Sequence, residues 1–305
     1  MTIKVDRQKA AQDLEVIANN SASMPLVSVI VPTRNRALFL QRALKSVLGQ
    51  TYPNLEIVVV DDASTDETRD VVAGLNNQAI RYIRHDSSKG GSGARNTGIR
   101  AATGKYVAFL DDDDEWEPSK TEEQLRMLQK YDVVFCTSNE DIVDLRKYDR
   151  KTEVTLDDLR KGHFTAGGTA VLMASANVMK EEMFDEELPR GQDWDIFIRL
   201  AQKHTVGYLN RPLVRYNEGA HSRISNEIID MPAEELVKRL RMLDKHKAFF
   251  GPRWFNRHMS RFLLYHVRHR RDKWQQLLFA VRICGIAAVA WALSRRILLR
   301  FTGIT

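Results

Sequence analysis

The sequence predicts an α/β fold: a mixed, mostly parallel sheet flanked by helices, with a C-terminal helical extension. Three observations predict it. Segments that are apolar almost without a break, Leu26–Val31, Leu55–Val60 and Lys105–Leu110, alternate with segments of helical spacing. That is the pattern of βαβ units whose strands are covered on both faces. The strands run into polar or acidic loops on what should be one sheet edge, where open α/β sheets bind ligands. From Pro232 onward, apolar residues recur at helical spacing nearly to the end.

In chain order, residues 1–24 read as a short amphipathic helix and a Ser/Asn linker. Strand Leu26–Val31 leads through the loop Pro32-Thr-Arg-Asn-Arg36 into a helix over Ala37–Gly49, spaced by Leu40, Leu44 and Leu48. Strand Leu55–Val60 ends in Asp61-Asp62, and Ser64 or Thr65 caps a helix through Leu75. A weaker strand, Ile80–Arg84, precedes the glycine-rich segment Gly90–Gly98, which leads into a short helix. Strand Lys105–Leu110 runs into four consecutive acids, Asp111–Asp114. A helix over Lys120–Lys130 and a strand over Asp132–Thr137 follow, and the polar stretch 139–165 reads as a covering loop. Thr169–Met173 is strand-like, Phe184–Trp194 a loop and Asp195–Lys203 a helix. Val206–Tyr208 and Leu213–Tyr216 read as two short strands.

At 305 residues there is room for one large domain and an appendage. A composition of 43% hydrophobic and 28% charged residues is ordinary for a globular protein. The two cysteines, Cys136 and Cys284, match no metal-binding spacing and suggest a reducing compartment without a disulfide framework. The polar N-terminus shows no signal peptide. The net charge of +6 hides a split. From Pro232 onward there are 16 Lys and Arg against 4 Asp and Glu, whereas residues 1–231 hold 30 against 36. An acidic body carrying a basic tail implies two tasks.

The tail reads as basic amphipathic helices over Ala233–Phe250 and Trp254–Arg271, then an apolar stretch, Leu277–Leu293, interrupted by Arg282. That stretch falls short of the ~20 residues a membrane span needs. An interfacial helix held by Trp274, Trp291 and the flanking arginines fits better. Each basic residue near an anionic leaflet adds about 1 kcal/mol, enough for peripheral attachment to an anionic membrane surface. A packed helical bundle and a homo-oligomer interface remain as alternatives. No nucleic-acid motif accompanies the charge, so no nucleic acid is expected.

Adjacent acids within a strand splay to opposite faces, but at its end several can converge on one cation. Clustered carboxylates repel unless a metal, a basic partner or water compensates, and hard oxygen ligands suit Mg²⁺ or Mn²⁺. The same run also reads as a solvated turn or, with Pro118, a helix cap. Gly90–Gly98 is no P-loop, since it lacks the Gly-Lys-Ser/Thr ending. Lys89 and Arg95 beside it suit a phosphate, although a plain turn reads equally well. Asp62 reads either as a helix cap or as an acceptor for a nucleobase or ribose.

Taken together, these stretches resemble family 2 glycosyltransferases, which have the GT-A fold of nucleotide-diphospho-sugar transferases. The resemblance rests on Val27-Ser-Val-Ile-Val-Pro-Thr-Arg-Asn35, Gln50-Thr-Tyr-Pro53 and Glu56-Ile-Val-Val-Val-Asp-Asp-Ala-Ser-Thr-Asp66. It continues through Gly93-Ala-Arg-Asn-Thr-Gly98, Gly104-Lys-Tyr-Val-Ala-Phe-Leu-Asp-Asp-Asp-Asp114 and Gly191-Gln-Asp-Trp-Asp195, covering roughly residues 26–225. It implies a nucleotide-sugar donor (a UDP-sugar foremost), Mn²⁺ or Mg²⁺, and inversion at the anomeric carbon. Position by position, Pro32, Thr33, Arg34 and Asn35 would bind the nucleotide sugar, with Asp62 on the base and Arg95 near the base or diphosphate. Asp111, Asp112 and Asp113 match an Asp-x-Asp motif, in which Asp113 and Asp111 would hold the metal and Asp111 and Asp112 the donor. Asp114 would orient the loop. His221 would ligate the metal or touch the diphosphate, and Asp193 would be the general base. Gln192 stands where Glu is common, which bears on specificity more than on activity.

The implied organisation is an N-terminal helix and linker (1–25), a GT-A domain (26–225) and a basic, membrane-associating tail (226–305). The implied role is extension of a lipid-linked or polysaccharide acceptor in cell-surface glycan synthesis, on the cytoplasmic face of the plasma membrane. The alternative is a non-catalytic nucleotide-sugar-binding or membrane scaffold protein, against which the intact acids argue.

Overall fold

The structure, a computed structural model, describes residues 24–139, 151–162, 168–217, 231–265, 267, 270 and 272–301, with side chains to residue 294. The expected N-terminal helix, the boundary at 225/226 and most of the 139–150 stretch lie outside the described residues.

Eight strands form one sheet in the order β3-β2-β1-β4-β7-β6-β8-β5. The parallel half is built from β1 (Val27–Thr33), β2 (Leu55–Asp61), β3 (Ile80–Arg84) and β4 (Tyr106–Phe109). β1 and β2 are buried along nearly their whole length, as their unbroken apolar sequence requires. Beyond β4 the sheet mixes direction. β7 (Leu172–Ser175) runs antiparallel to both β4 and β6 (Val133–Ser138). β8 (Val206–Arg215) runs parallel to β6, and the two-residue β5 (Glu115–Trp116) closes the edge antiparallel to β8. The mixed, mostly parallel sheet flanked by helices is the architecture expected from sequence.

The helices of the sheet region are α1 (Ala37–Leu48), α2 (Thr68–Gly74), α3 (Gly90–Ala101), α4 (Lys120–Met127), α5 (Leu156–Arg160), α6 (Ala176–Glu182) and α7 (Gln192–Lys203). Several differ from expectation for identifiable reasons. The helix expected from Ser64 or Thr65 starts only at Thr68, because Asp66 receives the Thr68 amide at 3.2 Å and the Ala37 amide at 3.1 Å. The glycine-rich segment is itself the first turns of α3. Its small residues let the helix lie close on the sheet: a Cβ on Gly98 would fall 2.4 Å from Ile30 Cγ2. Gly168–Val171 forms a 3₁₀ turn and only Leu172–Ser175 is strand. The two strands expected around residue 210 are one continuous strand, β8. α7 begins at Gln192, three residues early, so Asp193 and Asp195 both fall in its first turn, where acids favour the helix dipole.

The tail forms α8 (Ala233–Arg239), α9 (Arg241–Lys245), α10 (Lys247–Leu263), α11 (Lys273–Cys284) and α12 (Ile286–Phe301). Gly251 (φ 67°, ψ 166°) breaks α10 ahead of Pro252, and Gly285 (φ 82°, ψ 154°) separates α11 from α12. These angles suit glycine alone. The apolar stretch 277–293 is therefore bent at Gly285, and among the described residues no helix is long and apolar enough to cross a membrane. Trp291 does not face outward. It packs edge-on to Trp254 at 6.1 Å, with the Arg257 guanidinium 4.9 Å from its ring.

One continuous core joins sheet and tail, from Val27 to Ala292. The join is ionic as well as apolar. Asp195 on α7 is fully buried. Its Oδ2 receives Arg199 at 2.9 Å, and its Oδ1 pairs with Lys245 at 2.7 Å and His246 at 2.8 Å. Burial pushes this carboxyl's pKa up, but the bonds from His246 and Lys245 and the charge of Arg199 outweigh it and hold the carboxyl well below the usual range. Beside it, the Trp194 ring meets Phe250 at 5.7 Å, His258 at 4.8 Å and Phe262 at 6.1 Å. Asp195→Ala takes the carboxylate from His246 and leaves Arg199 to Glu182 and Lys245 to Asp185, and should cost about 1.5–3 kcal/mol in urea unfolding. An unchanged midpoint would show that the tail is held without it.

Lys120 is a second buried charge. Its ammonium donates to Gln124 Oε1 at 2.6 Å and lies 3.8 Å from the Trp116 ring centroid. Burial pushes its pKa down to about 8. The unfolded lysine titrates near ~10.4, so between those values the folded chain binds fewer protons and stability rises with pH. Unfolding free energy should climb from pH 7.5 to 9.5 by about 1–2 kcal/mol, and Lys120→Met should flatten that rise. The same slope in both proteins would assign it to another group.

Candidate active site

The C-terminal ends of β1, β2 and β4 deliver the Pro32–Arg36 loop, Asp62 and the acid run to one edge of the sheet, where they line a cleft of about 530 Å³. Pro32, Thr33, Arg34, Asp62, Arg95 and Asp111–Asp114 all border it. Asn35 turns aside: at φ 54° its side-chain oxygen accepts the Thr65 amide at 2.7 Å, tying this loop to the one after β2.

The acids diverge onto different partners. Asp111 accepts Arg95 at 2.6 Å and Thr169 Oγ1 at 3.2 Å. Asp112 accepts Thr33 Oγ1 at 2.8 Å and Arg36 at 3.1 Å, and the same Arg36 reaches Asp113 at 2.9 Å. Burial pushes the Asp112 carboxyl up to about 6, even with Arg36 beside it. The Asp114 amide closes a turn onto the Asp111 carbonyl at 3.1 Å, and its carboxylate receives the Asn217 amide at 3.3 Å. Sequence reasoning missed Arg36 and Thr169. A second arginine two residues past Arg34 was the available signal for Arg36; nothing in the sequence pointed to Thr169.

Asp62 faces inward more than expected. It is 4% exposed, and its two oxygens take four protein partners: Ser88 Oγ at 2.5 Å, the Lys89 amide at 2.7 Å, the Gly90 amide at 2.9 Å and His85 Nδ1 at 2.8 Å. Burial raises its pKa and these bonds more than reverse the effect, leaving it lowered. That fills a carboxylate's ordinary capacity of about four acceptor positions. In this conformation Asp62 anchors the start of α3.

Among the described residues no three His, Cys, Asp or Glu side chains form a ready cation cage. The donor chemistry nonetheless fits Mg²⁺ or Mn²⁺. Asp111 and Asp113 present hard carboxylate oxygens to the same cleft, and Mg²⁺ commonly takes one or two carboxylates plus phosphate oxygens and water. Arg95 and Arg36 balance those carboxylates in the structure. His221 lies outside the described residues.

A second cleft, of about 740 Å³, adjoins the first and shares Gly90, Gly91, Arg95 and Asp111 with it. Asp193 lines it, half-buried, in the first turn of α7. Burial pushes the Asp193 carboxyl up, against the Trp194 amide and the Arg95 charge. Gln192 lines the second cleft, donating to the Leu188 carbonyl at 2.9 Å while its oxygen accepts Arg95 at 3.4 Å. The structure thus brings Asp193, 80 residues downstream, to the border of the acid run.

The Glycosyl transferase family 2 model matches residues 28–188. A putative colanic acid biosynthesis glycosyl transferase of Escherichia coli K12 is 30% identical over 268 residues, which cover 83% of this chain and 92% of that one. A UDP-Glc:alpha-D-GlcNAc-diphosphoundecaprenol beta-1,3-glucosyltransferase of Escherichia coli is 40% identical over 119 residues, 39% of this chain and 47% of that one. Uncharacterized glycosyltransferases of Rickettsia felis and Rickettsia conorii are 32% identical over 225 residues; the match takes in 68% of this chain but only 36% of their own length. Among solved structures, a mannosyltransferase of Pyrobaculum calidifontis in complex with GDP-Man and Mn²⁺ shares the fold. It has a TM-score of 0.61 at 19% identity, covering 91% of this chain and 81% of that one. The sheet order, the acid run at the end of β4 and these matches lead to one conclusion: the chain belongs to glycosyltransferase family 2 and has the GT-A fold.

Proposed function

We propose that the chain is an inverting glycosyltransferase that moves a sugar from a nucleoside-diphosphate donor, a UDP-sugar foremost, to a lipid-linked or polysaccharide acceptor in cell-surface glycan synthesis. The observation that carries this reading is the meeting of two clefts at Arg95 and Asp111, with the acid run on one side and Asp193 on the other. A donor in the first cleft has its nucleoside end against Thr33 and Arg34 and its diphosphate toward Arg95. The Asp62 network fixes the Lys89–Gly91 backbone alongside. An acceptor in the second cleft brings its hydroxyl to Asp193, which takes the proton as the hydroxyl attacks the anomeric carbon from the face opposite the leaving group. Asp111 and Asp113 would hold Mn²⁺ or Mg²⁺, which would supply charge neutralisation for the departing diphosphate. The colanic acid and diphosphoundecaprenol relatives support the glycan context.

Asp193→Asn should lower transfer about 10²–10⁴-fold while UDP binding with Mn²⁺, read by thermal shift, persists. Asp113→Ala should lose that metal-dependent binding. The base works deprotonated and burial raises its pKa, so kcat/KM should fall with decreasing pH through a limb above the ordinary ~4 of a carboxylate. Transfer by Asp193→Asn within a few-fold of wild type would remove Asp193 from this role.

We also propose peripheral attachment to an anionic membrane, at the cytoplasmic face, through the outer surface of α11 and the start of α12. Trp274, Leu278 and Ile286 are 69%, 70% and 76% exposed, and Lys273 and Arg282 flank them on the exposed side. Large apolar residues beside cations suit the lipid–water interface. Deleting the tail would open the shared core, so the informative change is on the surface. Trp274→Ser with Leu278→Ser should weaken binding to phosphatidylglycerol vesicles at least tenfold and leave UDP binding intact. Equal vesicle binding by both proteins would end the proposal.

A further inference from the structure

Two arginines meet the acid run, and they are held differently. Arg95 is engaged on three sides, by Asp111 at 2.6 Å, Gln192 at 3.4 Å and the Phe184 ring, whose centroid lies 5.6 Å from its guanidinium carbon. Its bond to Asp111 ends on Oδ1, as does that of Thr169, so Asp111 can offer Oδ2 to a cation without releasing either. Arg36 stands on the acids with one corner. Its Nη1 lies 3.1 Å from Asp112 Oδ1 and 2.9 Å from Asp113 Oδ2, bridging the two carboxylates.

The backbone around Arg36 is tied down. The Asn35 amide before it donates to Ser64 Oγ at 2.9 Å, and the Ala37 amide after it to Asp66 at 3.1 Å. Its side chain is looser, 26% exposed against 12% for Arg95, and it lines the first cleft beside Arg34. Rotation about the side-chain bonds can carry the guanidinium off Asp113 and into the cleft while the chain stays in place. Asp112 need not follow, because its Oδ2 is separately held by Thr33 Oγ1 at 2.8 Å.

A cation between two carboxylates does the work of a divalent ion with half the charge. We infer that Arg36 is a resident counter-cation for the donor site: it neutralises Asp113, yields that carboxylate to a divalent cation, and turns to the oxygens of a nucleoside diphosphate. A guanidinium serves phosphate oxygens as well as carboxylates. The exchange links the two ligands. A metal ion alone has to take Asp113 from Arg36, and a diphosphate alone meets an arginine already engaged; together each supplies what the other displaces. This rests on the transferase reading and gives its donor site a positioning residue that makes metal and nucleotide enter jointly.

The test is Mn²⁺ binding to the full chain, read from the free-Mn²⁺ signal in electron paramagnetic resonance, with and without UDP. Without UDP, Arg36→Gln should bind Mn²⁺ about tenfold tighter than wild type, and Arg36→Lys, which keeps the charge, should stay near wild type. Arg34→Gln removes an equal but exposed charge, one that donates to Ser88 Oγ at 2.7 Å, and should shift Mn²⁺ by no more than about threefold. UDP should tighten Mn²⁺ by about tenfold or more in wild type and by less in Arg36→Gln. A purely structural Arg36 gives the opposite sign, weaker Mn²⁺ in Arg36→Gln, because the acid loop loses a support. Unchanged or weaker Mn²⁺ binding without UDP in Arg36→Gln overturns the inference, as does equal tightening by Arg34→Gln. So does a wild type that binds UDP yet takes Mn²⁺ as tightly without it, a result that needs no variant to fold. Tighter Mn²⁺ in Arg36→Gln, with UDP binding to none of the proteins, keeps Arg36 as the metal's competitor and sinks the donor half of the transferase reading.

Discussion

The buried carboxylate of Asp195 is the constraint on which the site depends. It lies two residues from Asp193 on the same first helical turn, so whatever fixes one fixes the other. Its partners come from α7 itself, Arg199, and from the C-terminal region, Lys245 and His246. A charge taken out of water is tolerable only when it is so fully met. The tail and the candidate base are therefore locked into one register. This is why the far wall of the second cleft can be made by helices that begin 18 residues after the last strand in sequence.

A second balance operates in the first cleft. Three adjacent acids at the end of β4 would repel one another if left alone. Arg95 and Arg36 hold them apart, one on Asp111 and the other across Asp112 and Asp113. The two arginines leave the triad short of full neutralisation when all three acids are ionised. That residual negative charge, set in a cleft with hard oxygen donors, is what a divalent cation would complement. Burial, with a smaller contribution from the Asp113 charge, holds Asp112 up near 6.

The parallel half of the sheet was legible because a strand covered on both faces must be apolar throughout, and β1 and β2 are. β8 was misread as two strands because Asn210, Arg211 and Pro212 interrupt its apolar residues; strand pairing to β6 carries the backbone through them. The first turns of α3 looked like a loop because glycine is a poor helix former, and local propensity contains no information about Ile30 beneath them. The acid run, Arg95 and Asp193 could be named from motif order, and the structure brings them to adjoining clefts. The fourfold engagement of Asp62 and the sideways turn of Asn35 could not, since both depend on loops that meet only after folding. The contribution of α8–α10 to the second cleft left no local trace. Its residues read as the apolar face of ordinary amphipathic helices.

The backbone of Gly285 has a consequence for the kind of protein this is. An unbroken helix from Lys273 to Phe301 would be about 43 Å long, more than the ~30 Å hydrocarbon thickness of a bilayer. With φ at 82° the rod is divided into two pieces, each too short to reach from one leaflet to the other. One achiral residue thus keeps this apolar stretch folded back upon its own bundle.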